Sequence, residues 1–405
     1  MEEFYTYSLP NGIRGIHRQI RSSVTHCGLL INAGTRDERA GEFGLAHYAE
    51  HALFKGTEHR RAYHINCRLE NLGGELNAFT TKEDTTIHAT TLRGDFMKAV
   101  ELIADVAFHS TYPSAEMERE KEVIYDEINT YKDSPSELIY DTFEEKIFAG
   151  SELGHNILGI KKDIKRFSGD TIRDFTKRTY TTDEMIFSSI GNISPKRIVA
   201  VAERYFGDVE ASTRSFQREK SVAVPAFSEE VNKRTHQTHC MMGCSAYSIV
   251  DPRRLPLLLL VNILGGPSAN SLLNMVVREK HGLTYNVEAN YTPYTDTGIV
   301  NIYFSSESGN TQKALELINE QMDKLMTTPL TARQLSIAKR QFVAQLAISM
   351  ESNEGYMLGA GKSFLVHGSV DTTEEIYRKV AALSAGELMD VAREIFAERS
   401  KLIYK

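Results

Sequence analysis

The sequence predicts an α+β fold built from two similar halves. Strand-like and helix-like segments do not alternate one by one, as they would in a doubly wound parallel sheet, but come in groups. Two short segments also recur at nearly equal spacing. Residues 25–27 (THC) return at 238–240, 213 positions later, and residues 98–103 (KAVELI) return as 313–318 (KALELI), 215 positions later. A chain of 405 residues is also long enough for two domains.

The apolar patterns of the first half predict five strands and seven helices. The strands fall near residues 4–8, 13–18, 24–32, 76–80 and 84–92. The helices fall near residues 43–54, 61–71, 95–109, 114–132, 136–147, 168–178 and 194–206. In the second half a strand-like run begins near Cys240, and the repeated segment leads to a long amphipathic helix from about Thr331.

A polar stretch with one proline separates the two halves. We therefore predict an N-terminal domain over 1–210, a linker over 211–228 and a C-terminal domain over 229–405.

Composition and charge exclude several classes of protein. The formal net charge is −7, whereas a protein that binds nucleic acids or anionic membranes in general has an excess of basic residues. The most apolar run, 255–264, is about half the ~20 residues that a membrane span requires. The first residues are acidic and resemble neither a secretory signal nor a mitochondrial presequence, and four cysteines fit a reducing compartment. We expect a cytoplasmic protein without a membrane span.

One short segment of helix-forming composition carries the strongest chemical signal. His47 and His51 are four positions apart, so on a helix they project from one face and can bind one zinc ion. Glu50 lies beside that face, where its carboxylate can take a proton from a water at the metal without being a ligand. The order HxxEH is the reverse of HExxH. The alternative interpretation is an ordinary polar surface helix.

A third ligand is expected on another element, because catalytic zinc usually has three protein ligands and one water. Glu120 and Glu127 are seven positions apart, which places both on one face of the predicted helix over 114–132. One can bind zinc while the other orients a ligand or the water. The alternative is a solvated, charged helix face.

Together with FKGT at 54–57 and GGELNAFT at 73–80, these motifs resemble the inverted-zincin metallopeptidases, which include pitrilysin, insulysin and the mitochondrial processing peptidase. The resemblance implies one Zn2+ per chain, bound by His47, His51 and Glu127, with Glu50 as general base and Glu120 as an accessory carboxylate. It also implies that each half is an α/β-roll domain with a mixed, largely antiparallel sheet. A chain of this length is then one half of a clamshell, as in short bacterial-type members.

The resemblance further places peptide binding on the strand that contains Asn77, Ala78 and Phe79. In the family this is an edge strand, and its unpaired N–H and C=O groups hold the substrate as an added strand. The alternative for Asn77 is a turn residue at a strand end.

The second half contributes Arg278 and Tyr285, whose spacing matches an arginine and a tyrosine that reach the substrate in the family. A guanidinium and a phenol can both donate hydrogen bonds to a developing oxyanion. The zinc motif itself has no counterpart there. Residues 255–266 contain neither His nor Glu, and Gln345 falls opposite Glu127. We expect the second half to support the fold without binding metal.

These observations predict a zinc-dependent endopeptidase that hydrolyses peptides or unstructured polypeptide segments. A homodimer is expected, in which Arg278 and Tyr285 act in trans on the zinc site of the other protomer. Two alternatives stay open. The chain could be the catalytic subunit of a presequence-processing peptidase with a noncatalytic partner, or a noncatalytic scaffold subunit of the same fold.

Overall fold

The computed structural model describes residues 4–222 and 224–405. Its strands are β1 (Tyr5–Ser8), β2 (Arg14–Gln19), β3 (Val24–Ile31), β4 (Glu75–Thr80), β5 (Thr85–Leu92), β6 (Met185–Gly191), β7 (Ser228–Val231), β8 (Thr238–Ala246), β9 (Val287–Pro293), β10 (Gly298–Ser306) and β11 (Ser400–Tyr404). Its helices are α1 (Leu45–Ala52), α2 (Ala62–Glu70), α3 (Phe96–Phe108), α4 (Ser114–Lys132), α5 (Pro135–Ile147), α6 (Lys161–Ile164), α7 (Gly169–Thr179), α8 (Pro195–Phe206), α9 (Arg254–Gly265), α10 (Thr311–Thr327), α11 (Ala332–Ser349), α12 (Asn353–His367), α13 (Thr373–Ala382) and α14 (Ala385–Ile395). The predicted strands and helices of the first half are confirmed to within two residues at each end.

The first sheet has six strands in the order β1-β2-β6-β3-β5-β4. Every neighbouring pair is antiparallel except β2 with β6, so the sheet is mixed and largely antiparallel, as predicted. Helices α3 and α8 pack on one face and α12 packs on the other.

The patterns of the first half predict neither the short helix α6 nor strand β6. Strand β6 lies between β2 and β3, and all seven of its residues are buried. Ile186 faces α12, whereas Phe187 belongs to the apolar core on the opposite face. The hydroxyl of Ser188 donates to the backbone oxygen of Met357 at 2.8 Å. A strand covered on both faces lacks the alternation of apolar and polar residues that signals a strand in sequence.

The second sheet repeats the first. Its order, β7-β11-β8-β10-β9, corresponds to β2-β6-β3-β5-β4, and its single parallel pair, β7 with β11, occupies the place of β2 with β6. The repeated segment 98–103 lies in α3 and its counterpart 313–318 lies in α10. The two sheets confirm the two similar halves that the repeats indicated.

The described residues form two compact units, each of which includes a helix from the other half of the sequence. Unit 1 comprises the described part of 1–128 together with 155–219 and 348–370. Unit 2 comprises 129–154 and the described residues of 220–347 and 371–405.

The predicted domains follow the chain without interruption and differ from these units by two helices. In unit 2, α5 covers β8, β10 and β11, and in unit 1, α12 covers β2, β3 and β6. The apolar residues Ile139, Phe143 and Ile147 of α5 are buried against the second sheet. No local pattern reveals which sheet such a face will cover. Periodicity therefore could not predict that α5 and α12 each pack on the sheet of the other half of the sequence.

The most apolar run of the sequence forms α9, a helix of twelve residues in the core of unit 2. Across residues 4–222 and 224–405, no helix combines the length and the apolar character needed to cross a bilayer.

Candidate metal centre

Helix α1 presents the HxxEH motif on one face and buries the other. Five of its eight residues are buried, namely Leu45, Ala46, Tyr48, Ala49 and Ala52. The remaining three, His47, Glu50 and His51, are partly exposed. The imidazoles of His47 and His51 are adjacent, with ring centroids 4.6 Å apart. The helical period that the sequence predicted therefore places both histidines on one accessible face.

Glu127 of α4 completes a group of three ligand atoms. Its Oε2 lies 3.8 Å from Nε2 of His47 and 3.8 Å from Nε2 of His51. One ligand atom from each residue lies within 4.8 Å of the others. Bonds of about 2.0–2.2 Å to one tetrahedral zinc hold such atoms slightly closer than this, so a small contraction suffices. Glu127 Oε2 is buried and accepts no hydrogen bond from the described residues, as expected of a ligand oxygen before metal binds. The three residues fit a zinc ion.

Glu120 lies behind His51 and fixes its orientation. His51 Nδ1 donates to Glu120 Oε1 at 2.8 Å, which leaves Nε2 as the lone-pair nitrogen that faces Glu127. The other carboxylate oxygen of Glu120 pairs with Lys55 Nζ at 2.6 Å. A carboxylate that holds the second nitrogen of a ligand histidine orients the ring and makes it a stronger ligand. Of the two roles considered for the accessory carboxylate, this geometry favours orientation of a ligand.

A buried hydrogen bond holds α1 and α4 in register. The hydroxyl of Tyr48 donates to the backbone oxygen of Met117 at 2.6 Å, one turn before Glu120. Ile124 and Ile128 of α4 pack in the same apolar cluster as the buried face of α1. The two helices that carry the ligand residues are therefore fixed by contacts on their buried faces.

The two histidines differ in their proton affinity. Burial, with the adjacent His51 adding to it, lowers the pKa of His47 to about 3. His47 is therefore neutral at physiological pH, as a metal ligand must be. Burial alone would lower the pKa of His51, but its hydrogen bond to Glu120 and the charges of Glu127, Glu50 and Glu120 outweigh it and raise that pKa.

Glu50 lies next to the three ligand residues in an environment that suits proton transfer. Burial raises the pKa of its carboxyl group, and the charge of Glu127 adds to the rise. Hydrogen bonds from Thr80 and the charge of His51 oppose it without cancelling it. A carboxylate of raised pKa is a stronger base than one in water. Thr80 is the last residue of β4, so Glu50 also lies next to the strand expected to bind peptide.

Strand β4 forms an edge of the first sheet, and within the described residues it pairs with β5 alone. Asn77 is exposed, and Phe79 is 37% exposed with its ring 5.9 Å from that of His88. Ala78 points to the opposite face and packs against the core. In the described part of the chain, no strand lies beside the outer edge of β4.

Arg278 and Tyr285 belong to unit 2. Arg278 lies in a π-helical segment, Asn274–Lys280, and its guanidinium contacts the neighbouring Glu279 at 2.9 Å. Tyr285 is 90% exposed, and its hydroxyl has no hydrogen bond to the described part of the chain.

Among its described residues, unit 2 has no counterpart of the candidate metal ligands. Helix α9 carries apolar residues where α1 carries its motif, and Gln345 of α11 donates to Ser268 Oγ at 2.8 Å. Within residues 4–222 and 224–405, the group of His47, His51 and Glu127 is the one set of three His, Cys, Asp or Glu side chains close enough to share a metal ion.

Two family models match the chain. The model described as "Insulinase (Peptidase family M16)" matches residues 17–161, which include every proposed zinc ligand. The model described as "Peptidase M16 inactive domain" matches residues 166–342.

Similar proteins occur in several bacteria. A Bacillus subtilis (strain 168) protein named "Uncharacterized zinc protease YmxG" is 33% identical over 398 residues, which cover 97% of this chain and 95% of the relative. A Rickettsia bellii (strain RML369-C) protein named "Uncharacterized zinc protease" is 32% identical and covers 98% of this chain and 96% of its own length.

Solved structures share the fold over nearly the whole chain. A protease from Helicobacter pylori superposes with a TM-score of 0.91 at 19% identity, covering 99% of each chain. A structure described as the peptidase M16 inactive domain from Pseudomonas fluorescens superposes with a TM-score of 0.92 at 19% identity, covering 99% of this chain and 97% of that one.

Proposed function

Because the chain belongs to the M16 (insulinase) family of peptidases, we propose that it is a zinc-dependent endopeptidase that cleaves peptides or unstructured polypeptide segments. The observation that carries this proposal is the convergence of His47, His51 and Glu127 beside a carboxylate of raised pKa, Glu50. The names of the relatives, which are called zinc proteases, agree with it.

One zinc ion per chain would be held by His47 Nε2, His51 Nε2 and a carboxylate oxygen of Glu127. When bound, the ion supplies a Lewis acid for the scissile carbonyl and lowers the pKa of water. Glu120 keeps the His51 ring in place through its hydrogen bond to Nδ1. Lys55 in turn pairs with Glu120, so the orientation of His51 depends on two further side chains.

Glu50 is the general base and then the general acid. Its carboxylate takes a proton from the attacking water as the water oxygen bonds to the carbonyl carbon. It returns that proton to the amide nitrogen as the peptide bond breaks, so the amine leaves in neutral form. The raised pKa suits both steps, because the group must first bind the proton and then release it.

Substrate binds as an added strand on the outer edge of β4, along Asn77, Ala78 and Phe79. Main-chain hydrogen bonds do not depend on the side chains of the peptide, so many sequences can bind. Most backbone groups of a folded protein are already paired, whereas a peptide or an unstructured segment can extend along the edge, which favours such substrates.

The proposal is tested by hydrolysis of an unstructured peptide by the purified chain. We expect cleavage that a chelator abolishes and that added zinc restores, because the metal is held by side chains alone. Cleavage that survives complete removal of metal would contradict the proposal. Cleavage only after a second protein is added would favour the processing-peptidase alternative, and a zinc-loaded chain that never cleaves would favour the scaffold.

We also propose a homodimer in which Arg278 and Tyr285 complete the zinc site of the partner protomer. The exposure of Tyr285 supports this role, because the phenol is free to donate a hydrogen bond to a molecule outside its own unit. A phenol or guanidinium aimed at the developing oxyanion would stabilise the transition state.

Mixing two inactive variants tests this arrangement. A protein with both Arg278→Ala and Tyr285→Ala keeps Glu50, and a Glu50→Gln protein keeps the arginine and the tyrosine. A mixed dimer then contains one complete site, so partial activity is expected on mixing. Differently tagged chains that co-purify as mixed dimers and stay inactive would contradict action in trans.

A further inference from the structure

Helix α1, which carries His47, Glu50 and His51, begins without a cap of its own. The residue before it, Gly44, has φ of 96° and no side chain to accept a hydrogen bond. A Cβ at that position would lie 2.8 Å from the backbone oxygen of Leu158, so the residues that usually cap helices do not fit. The first N–H groups of a helix have no partner inside the helix, so an acceptor must come from elsewhere.

Glu38, in the segment after β3, is that acceptor. Its Oε2 accepts the backbone N–H of Gly44 at 3.0 Å, and its Oε1 accepts that of Ala46 at 2.8 Å. The side chain of Glu38 is fully buried, with 0% exposed. A carboxylate at this place also interacts favourably with the positive end of the helix dipole.

His155 holds Glu38 from the other side. Its Nε2 lies 3.0 Å from Glu38 Oε2 and 2.7 Å from the backbone oxygen of Thr35. Both partners are acceptors, so the hydrogen of the His155 ring is on Nε2. The ring stacks on Phe43 with centroids 4.4 Å apart, and the backbone oxygen of His155 accepts a hydrogen bond from Lys82 Nζ. Glu38 is therefore fixed between His155 and the first turn of α1.

We infer that Glu38 is a positioning residue for the metal centre, because it fixes the start of α1 and hence the direction in which the ligand histidines project. His47 directly follows Ala46, whose N–H Glu38 holds, so a shift of the first turn moves His47. Such sites need their donor atoms held to within about 0.5 Å. The inference rests on the proposed zinc peptidase function.

The test is Glu38→Gln in the full chain. A glutamine places an amide NH2 where a carboxylate oxygen now accepts. If the NH2 replaces Oε1, it faces the N–H of Ala46. If it replaces Oε2, it faces the N–H of Gly44 and Nε2–H of His155. Either orientation therefore puts two hydrogen-bond donors against each other. We expect zinc affinity, measured by competition with a chelator, to fall about tenfold, the lower end of the range for residues that support metal ligands. The visible absorption of the Co2+-substituted protein should change as well, since it reports ligand geometry.

Ser384→Ala is the matched control. Ser384 caps α14 in unit 2 by accepting the N–H of Glu387 at 3.1 Å, so its loss removes a helix cap in the unit that does not contain His47, His51 and Glu127. We expect lower thermal stability with unchanged zinc affinity. A Glu38→Gln protein with the zinc affinity and Co2+ spectrum of the wild type overturns the inference while leaving the peptidase proposal intact. A wild-type chain that binds no zinc overturns both.

Amide hydrogen exchange tests the same contact without metal. In the zinc-free wild type, the N–H groups of Gly44 and Ala46 should exchange slowly despite their place at the helix start, because Glu38 accepts both. If the Glu38→Gln protein does not fold, hydrogen exchange of the wild type alone tests whether Glu38 holds the start of α1. Slow exchange supports the role of Glu38, and exchange as fast as in an uncapped first turn overturns it.

Discussion

Glu50→Gln is expected to lower kcat/KM by at least about 100-fold, and by as much as about 10,000-fold, while the protein keeps its zinc. Glutamine has nearly the shape of glutamate but cannot accept the proton of the attacking water. Glu50 is not one of the three side chains that we propose bind the ion, so metal affinity should stay close to that of the wild type.

Glu70→Gln is the matched control for this substitution. Glu70 is exposed at the end of α2, so the same chemical change there should leave both zinc content and activity unaltered. Turnover of Glu50→Gln near the wild-type rate would remove Glu50 from the mechanism. Loss of zinc from that variant would instead make Glu50 part of the metal site.

Glu127→Gln is expected to lose zinc and activity together. In the proposed site Glu127 is the one negatively charged ligand, and its buried Oε2 lies 3.8 Å from Nε2 of both His47 and His51. A neutral amide oxygen is a much weaker ligand for a dication. We expect zinc affinity to fall by more than the 10- to 100-fold that is typical of supporting residues, and activity to return in part at high zinc concentration.

Glu122→Gln on the same helix separates this effect from a general change in helix charge. Glu122 is exposed on α4, away from the buried face that carries Ile124 and Ile128. The Glu122→Gln protein should bind zinc with the affinity of the wild type. A Glu127→Gln protein that retains one tightly bound zinc would contradict the assigned ligand set, even if its activity were lost.

The cluster of His47, His51 and Glu127, with Glu120 beside it, could be predicted in part because each pair of residues is regularly spaced on a helix. His47 and His51 are one helical turn apart, and Glu120 and Glu127 are two turns apart, so helical periodicity alone places each pair on one face. That the two faces meet depends on contacts between helices, such as the hydrogen bond from Tyr48 to Met117. For that step the sequence offered the resemblance to a family and no physical derivation.

The supporting residues were missed because their partners are distant in the chain. Lys55 lies in the FKGT segment that contributed to the resemblance, yet its pairing with Glu120 appears only in three dimensions. Glu38 is separated from His155 by 117 positions, and no pattern in either segment indicates that they meet. Local sequence reports periodicity and capping residues at a helix start, but it cannot report a cap supplied from another part of the chain.

Contacts between distant parts of the chain also explain why the fold prediction missed strand β6 and the places of α5 and α12. Residues of β6 alternate between two buried environments, so they read as neither a half-buried strand nor a helix. Helices α5 and α12 occupy corresponding places in the two halves, and each covers the sheet of the other half. The sequence predicts a helix over 136–147, which becomes α5, but not the sheet that it covers, and it gives no prediction for α12.

The most direct test of the central claim measures zinc content and peptide cleavage on the same preparations of wild type and Glu50→Gln. We expect one zinc per chain in both proteins, with cleavage in the wild type only. Equal cleavage by the two proteins, or cleavage by a wild-type preparation that contains no zinc, would contradict the claim that zinc and Glu50 together hydrolyse the peptide bond.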